Sequence, residues 1–256
     1  MKPYLLLPAC IFLLGLSTCK RPPLPPPVVL FDQAHGQSAS IQPGGPADLS
    51  GLKDLFREQG FVIQEDITPL SEETMQGAAA VIISGPLTPL TSPEIQAIGK
   101  YLNNGGQISL MLENAAAAAN LLSSLQIAVA NGILREQENM LNGEGSNFSL
   151  KDLPEHPLTR ELDTFNMYGA WPLQTALEAN VIARTSNKSW VDLNGDRLLG
   201  KEDAVQSFHV LITGQLGHGH FVVFGDDAPL QNQFLKGENA TLGRNLARWF
   251  KEGSYY

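Results

Sequence analysis

The chain is poor in cysteine. It has two in 256 residues, Cys10 and Cys19, both near the start. From residue 20 onward there is no disulfide, no cysteine nucleophile and no cysteine-based zinc site, and stability must come from the core. Basic charge is also scarce. Lys and Arg number 17 against 26 Asp and Glu, which leaves a formal net charge of −9. No basic patch with interleaved aromatics occurs, so nucleic acid is excluded as a partner and anionic lipid headgroups are repelled. A Gly-x-Ser-x-Gly nucleophile motif is missing, as is any internal repeat. Gly85-Pro86 and Gly143-Glu144-Gly145 lack a phosphate-binding pattern around them. What is present, 43% hydrophobic and 17% charged residues, describes a globular protein.

The start of the chain reads as a bacterial export signal. Lys2 supplies the positive charge, and Tyr4–Leu16 supplies an apolar run too short for a comfortable membrane span. Leu16-Ser17-Thr18-Cys19 resembles the lipobox of bacterial lipoproteins, with Thr18 where Gly, Ala or Ser is usual. The resemblance implies a signal peptide at 1–18, cleavage before Cys19 and lipid on its thiol. An ordinary signal peptide or an uncleaved anchor is the alternative. Lys20–Pro27 (KRPPLPPP) then favours polyproline II, a stiff spacer of roughly 25 Å. Residues 19–27 are thus expected to form a lipidated tether, with membrane contact made through the lipid.

Beyond the tether, apolar runs alternate with amphipathic stretches. Val28–Phe31, Phe61–Gln64, Ala79–Ser84 and Ile108–Leu112 read as strands. A helix is expected within Pro46–Gly60, capped by Asp48, with Leu52, Leu55 and Phe56 on one face and Gly60 at its end. Ser71–Gly77 reads as one or two helical turns. Thr91-Ser92-Pro93-Glu94 starts a helix whose stripe is Ile95, Ile98, Tyr101 and Leu102, and Asn104-Gly105-Gly106 stops it. Ala115–Leu125 is expected to be helical. The alternation implies a mostly parallel sheet with helices on both faces. Right-handed crossovers then set the loops beginning at Asp32, Ile67, Gly85 and Glu113 along one edge. Residues 126–190 are mixed and short in period. Val181–Arg184, Phe208–Thr213 and Phe221–Gly225 read as strands, and Asn239–Phe250 as a helix with Leu242, Leu246, Trp249 and Phe250 on one side.

Phe31-Asp32-Gln33-Ala34-His35-Gly36-Gln37 ends the first strand, and Gly225-Asp226-Asp227 follows the last. Beyond it stand Asn232, Asn239 and Asn245-Leu246-Ala247-Arg248-Trp249; between lie Leu87–Glu94 (LTPLTSPE) and Gly105-Gly106. This series resembles a prokaryotic family of unknown function with a class I glutamine amidotransferase-like fold. Its wider relatives include gliding-motility and ABC-transporter-associated envelope proteins. The resemblance implies a flavodoxin-like α/β domain over residues 28–250, with a β-rich insertion at about 126–207 and a tail at 251–256. True amidotransferases place a cysteine at the sharp turn after the strand that is here Ile108–Leu112. This chain has Glu113-Asn114, neither of which can form the thioester, so amidotransferase activity is not expected.

Three constellations carry chemistry. Asp192, Asn194, Asp196 and Asp203 stand at positions 1, 3, 5 and 12 of an EF-hand-like or dockerin-like loop, with Leu198 as the backbone ligand at position 7. Arg197 replaces the usual glycine, and Asp203 the usual glutamate. The two readings are a structural calcium ion and an Asx-rich turn without one. Second, Asp32, His35 and Asp226 are expected on the same sheet edge, where open α/β sheets bind ligands. With Gln33 and Asn232 they form a candidate ligand site, or, in the alternative, Asp32, His35 and Asp226 are the acid–base groups of a hydrolase. Third, Gly217-His218-Gly219-His220 reads as a hairpin tip rather than a transition-metal site.

The expected function is a lipid-anchored binding or assembly module of the bacterial cell envelope, facing periplasm or exterior. Its partner would be an envelope protein complex or a glycan or peptide ligand. The rival is an envelope glycan or peptide hydrolase.

Overall fold

The computed structural model describes residues 25–37, 39–177 and 180–253. The export signal, the Cys19 lipidation position and the start of the tether lie outside the described residues.

The first half alternates strand and helix. Strand β1 (Val28–Asp32) is followed by α1 (Ser50–Glu58), β2 (Val62–Asp66), β3 (Ala78–Ser84), α2 (Ser92–Asn103), β4 (Gln107–Met111) and α3 (Ala115–Ser124). β-Branched and aliphatic runs make the strands; β4 is buried along its whole length, as a strand covered on both faces requires. Helix α2 starts as its sequence indicates, with Glu94 accepting from the Thr91 N–H at 2.8 Å.

Two local expectations fail. Asp48 does not cap α1, whose N-cap is Leu49 without a side-chain bond. The Asp48 carboxylate instead accepts from the backbone N–H groups of Ser40 and Gly45 and folds the preceding loop. Residues 72–77 form turns rather than a helix. There Ser71 and Thr74 hydroxyls exchange hydrogen bonds with each other's backbone N–H, a local alternative to helical pairing.

The second half is built of short strands. These are β5 (Ala128–Val129), β6 (Ile133–Arg135), β7 (Met140–Leu141), β8 (Glu144–Leu150), β9 (Phe165–Tyr168), β10 (Leu173–Gln174), β11 (Val181–Arg184), β12 (Trp190–Asp192) and β13 (Ala204–Val205). The long hairpin β14 (His209–Leu216) and β15 (Gly219–Phe224) follows, and α4 (Glu238–Gly253) closes the described chain. Gly217, at φ 61°, makes the tight turn of that hairpin.

Among the described residues the main sheet has nine strands in the order β2-β1-β3-β4-β15-β14-β10-β5, with β11 also paired to β14. The five strands from β2 to β15 pair in parallel, and the remainder are antiparallel. The segment expected as an insertion therefore divides. Its β5, β10 and β11 extend the main sheet, while β13-β12-β6 and β7-β8-β9 form two small sheets.

Each face of the main sheet has its own core. Helices α1 and α4 cover one, where Phe56 packs against Phe31, Phe61 and Phe250 with ring centroids 5.9, 5.3 and 6.3 Å away. Helices α2 and α3 cover the other, setting Ile98, Leu102, Leu121 and Leu122 on Leu30, Val81, Ile83 and Leu110. Each such side chain contributes about 1.5–3 kcal/mol on burial, which suffices for a body without cross-links.

Candidate functional site

Strands β1, β3, β4 and β15 run in the same direction, so their carboxyl ends share one edge of the sheet. Asp32 and Asp226 both lie there, as expected. They do not meet. Two strands separate β1 from β15, and strand spacing puts their ends about 14 Å apart. The edge carries two separate carboxylate clusters instead of one constellation.

The first cluster is Asp32–His35–Glu94. His35 Nδ1 lies 2.7 Å from Asp32 Oδ2, and Nε2 lies 2.9 Å from Glu94 Oε1. All three side chains are buried. Asp32 also accepts from the Ala34 N–H and the Gln37 side-chain amide. Glu94 also accepts from Leu70 N–H and from the backbone and hydroxyl of Thr91. Burial acts to lower the His35 pKa, but the hydrogen bond and charge of Asp32, with those of Glu94, outweigh it and raise the value. Burial likewise acts to raise the Glu94 pKa, and the Thr91 bonds, His35 and Leu70 N–H bring it below the ordinary value. Each ring nitrogen faces a carboxylate oxygen, a geometry in which both are placed to donate. Neither nitrogen is left to accept a substrate proton.

The loop around His35 is fixed to its neighbours. The His35 carbonyl accepts from Leu87 N–H and Thr88 N–H, which ties the loop after β1 to the loop after β3.

The second cluster is Glu113–Asp226–Asp227. Asp226 Oδ2 accepts from Tyr168 N–H at the end of β9, and Oδ1 accepts from Ala228 N–H. Asp227 Oδ1 accepts from the Gln231 amide at 3.1 Å. Burial pushes the Asp226 carboxyl up to about 6, with a further contribution from the Glu113 charge. Asp227 is pushed up to about 8 by burial and then by the charges of Asp226 and Glu113. Gly85, at φ 56°, makes room for the cluster: a Cβ there would lie 2.6 Å from Asp227 Oδ2. The bare turn after β3 is thus a condition for this arrangement.

The other sequence candidates serve the backbone. The Gln33 amide donates to the Asp32 and Ala39 carbonyls. Asn232 accepts from Gly51 N–H and donates to the Gly45 carbonyl and the Ser50 hydroxyl, so it clamps the start of α1 and does not join His35. In the calcium-like loop, Asp192 accepts from Gly195 N–H and Arg197 N–H and from Arg135 Nε at 3.2 Å. Asp196 accepts from Leu198 N–H, and Asp203 from Leu193 N–H and Gly200 N–H. Asn194 donates to Asp196 and Glu202. Arg197 takes the positive φ, 63°, that glycine usually takes in such a loop. Protein donors thus hold the turn, and among the described residues no group of three His, Cys, Asp or Glu side chains is placed to hold a metal ion. His218 and His220 flank the β14–β15 turn, and the His220 ring lies 6.2 Å from that of Trp249.

Glu94 and Asp227 were missed as site residues. Glu94 was visible only as the acid of a helix start; its Oε1, which also accepts from Leu70 N–H, meets His35 from 59 residues away. Asp227 stood beside Asp226 in the sequence, but only the fold reveals that both are buried.

Searches for similar proteins bear on the fold and the family. No curated protein matches the chain. Among solved structures, the mmIFT52 N-terminal domain is similar at 19% identity, with a TM-score of 0.69, covering 87% of this chain and 97% of that one. A ThuA-like protein from Bacteroides uniformis is similar at 15% identity, with a TM-score of 0.51 and coverages of 90% and 94%. A β-galactosidase from Rahnella sp. R3 is similar at 13% identity, with a TM-score of 0.54; 88% of this chain is covered but only 31% of the enzyme. At these identities the likeness concerns the fold: a mixed α/β body with a large, mostly parallel central sheet. A family model described as "Domain of unknown function (DUF4350)" matches residues 45–247, a span that contains Glu94, Glu113, Asp226 and Asp227 but begins after Asp32 and His35. The chain belongs to that family.

Proposed function

We propose that this protein is a lipid-anchored component of the bacterial cell envelope, whose flavodoxin-like, amidotransferase-like sheet serves as a binding or assembly module and not as a catalyst. The observation that carries the reading is the state of the edge where such sheets do chemistry. His35 is locked between Asp32 and Glu94, and the turn after β4 offers Glu113-Asn114 where a cysteine nucleophile would stand. The proposed partner is an envelope protein complex or a glycan or peptide ligand. The proposed docking residues are Ile67 and Leu87, exposed at that edge at 75% and 45%. The separation of Asp226 from His35 weighs against the hydrolase alternative.

Two experiments test this. Mass spectrometry of membrane-purified protein should find a diacylated or triacylated Cys19 at the amino terminus; an unmodified, soluble product overturns the anchor. Cross-linked capture from envelopes should lose its partner in the Ile67→Ser, Leu87→Ser double variant and keep it in His35→Gln. Turnover of an envelope polymer that His35→Gln abolishes, in protein that stays folded, would instead identify an enzyme.

A further inference from the structure

The turn after β15 sets two aspartates side by side in the interior. Both are nearly inaccessible, at 3% and 1% exposure. Asp226 has a backbone N–H on each oxygen. Asp227 has the Gln231 amide on Oδ1, but its buried Oδ2 receives no donor among the described residues. Gly85 stands against that oxygen and brings no polar side chain. The Glu113 carboxylate faces Asp227 from the loop after β4. An ionised Asp227 would leave a desolvated oxygen without a donor, next to two further carboxylates. A proton on Oδ2 removes the charge and turns the orphan acceptor into a donor aimed at Glu113.

We propose that Asp227 is a neutral carboxylic acid that donates its proton in a hydrogen bond to Glu113, and that this bond is a latch at the sheet edge which alkaline solution opens. The groups facing Asp227 are Asp226 on its own turn, Glu113 after β4 and Gln231 just after the 3-10 turn Ala228–Leu230; Tyr168 of β9 faces Asp226. Gly85 after β3 adds no charge. The latch sits at a junction, because Asp226 holds Tyr168 N–H and Asp227 N–H donates to the Leu112 carbonyl. When the proton leaves to water, three carboxylates face one another there, and the contact joining β9, the end of β4 and the lead into α4 is the one that weakens. The device does not depend on the proposed anchor or partner.

The direct test is infrared difference spectroscopy of the full chain at pH 7. A protonated-carboxyl carbonyl band should be present in the parent and absent from Asp227→Asn. In equilibrium unfolding, the folded pKa lies above the unfolded one, so folding takes up a proton and stability falls as pH rises. This group alone should lower the folding constant roughly tenfold per pH unit between pH 5 and 7. That component should vanish in Asp227→Asn, while the part due to His35 remains. Glu113→Gln, an exposed position, should move the alkaline midpoint to lower pH because it removes a negative charge. A parent band that survives Asp227→Asn, or equal pH slopes in parent and variant, overturns the proposal. If Asp227→Asn does not fold, an unchanged midpoint in Glu113→Gln overturns it.

Discussion

The two acidic clusters share one edge of one sheet, yet the buried acids Glu94 and Asp227 shift in opposite directions. Beside His35 the carboxylate of Glu94 is more acidic than usual, whereas Asp226 and Asp227 are less acidic than usual. The difference lies in what stands between the acids. In the first cluster an imidazolium bridges two carboxylates, and both oxygens of each acid accept hydrogen bonds. In the second, no cation contacts the acids among the described residues, and one oxygen lacks a donor. Desolvation is common to both, so countercharge decides the outcome.

The largest expected effect comes from removing that countercharge. His35→Ala leaves Asp32 and Glu94 buried and facing each other, and should cost about 3–5 kcal/mol in urea unfolding. A loss below 1 kcal/mol would mean that the bridge is not ionic, and the contrast would collapse. Next, the pH profiles should differ in sign. The His35 contribution is complete below its ordinary value of 6.5 and is lost as pH rises through the raised folded value. The Glu94 contribution is present above 4.5 and is lost as pH falls through its lowered value. The first cluster is therefore strongest between those limits, whereas the second weakens steadily from about pH 4 to about 8. Melting curves of His35→Ala and Asp227→Asn across pH 4–9 should separate the two profiles.

Gly85→Ala should destabilise by about 2 kcal/mol, through the positive φ and the contact with Asp227. Its melting deficit should shrink in the Asp227→Ala background. Outside both clusters, Asp192→Ala should cost about 1–3 kcal/mol without any added ion, because it removes the acceptor for the Gly195 and Arg197 N–H groups and for Arg135. Millimolar calcium should shift the parent melting temperature by less than that substitution does. A larger rise, abolished by Asp192→Ala, would give the loop its ion. The smallest effect is expected from Thr91→Ala, about 1 kcal/mol, with the Glu94 pKa moving back toward its ordinary value in an NMR titration.

Much of this body is readable in its amino acids, for reasons that hold element by element. Val28–Phe31, Ala79–Ser84 and Ile108–Leu112 are apolar runs with no helical spacing, and they became the central parallel strands. Parallel order then makes Asp32 and Asp226 neighbours of one edge. It does not reveal how many strands lie between them, since lateral order is set by tertiary packing. That is why an expected triad became two sites. Between 126 and 207 Val181–Arg184 was legible as an apolar run, but the two- and three-residue strands carry too little periodicity to detect, and β8, Glu144–Leu150, is mostly polar. Asp48 failed as a cap because nearby backbone N–H groups at Ser40 and Gly45 took its oxygens first.

The chain enters β1 from Pro25–Pro27, at the end of the sheet opposite both clusters. Under the proposed amino-terminal anchor, attachment would lie at the end of the sheet opposite the rim that exposes Ile67 and Leu87.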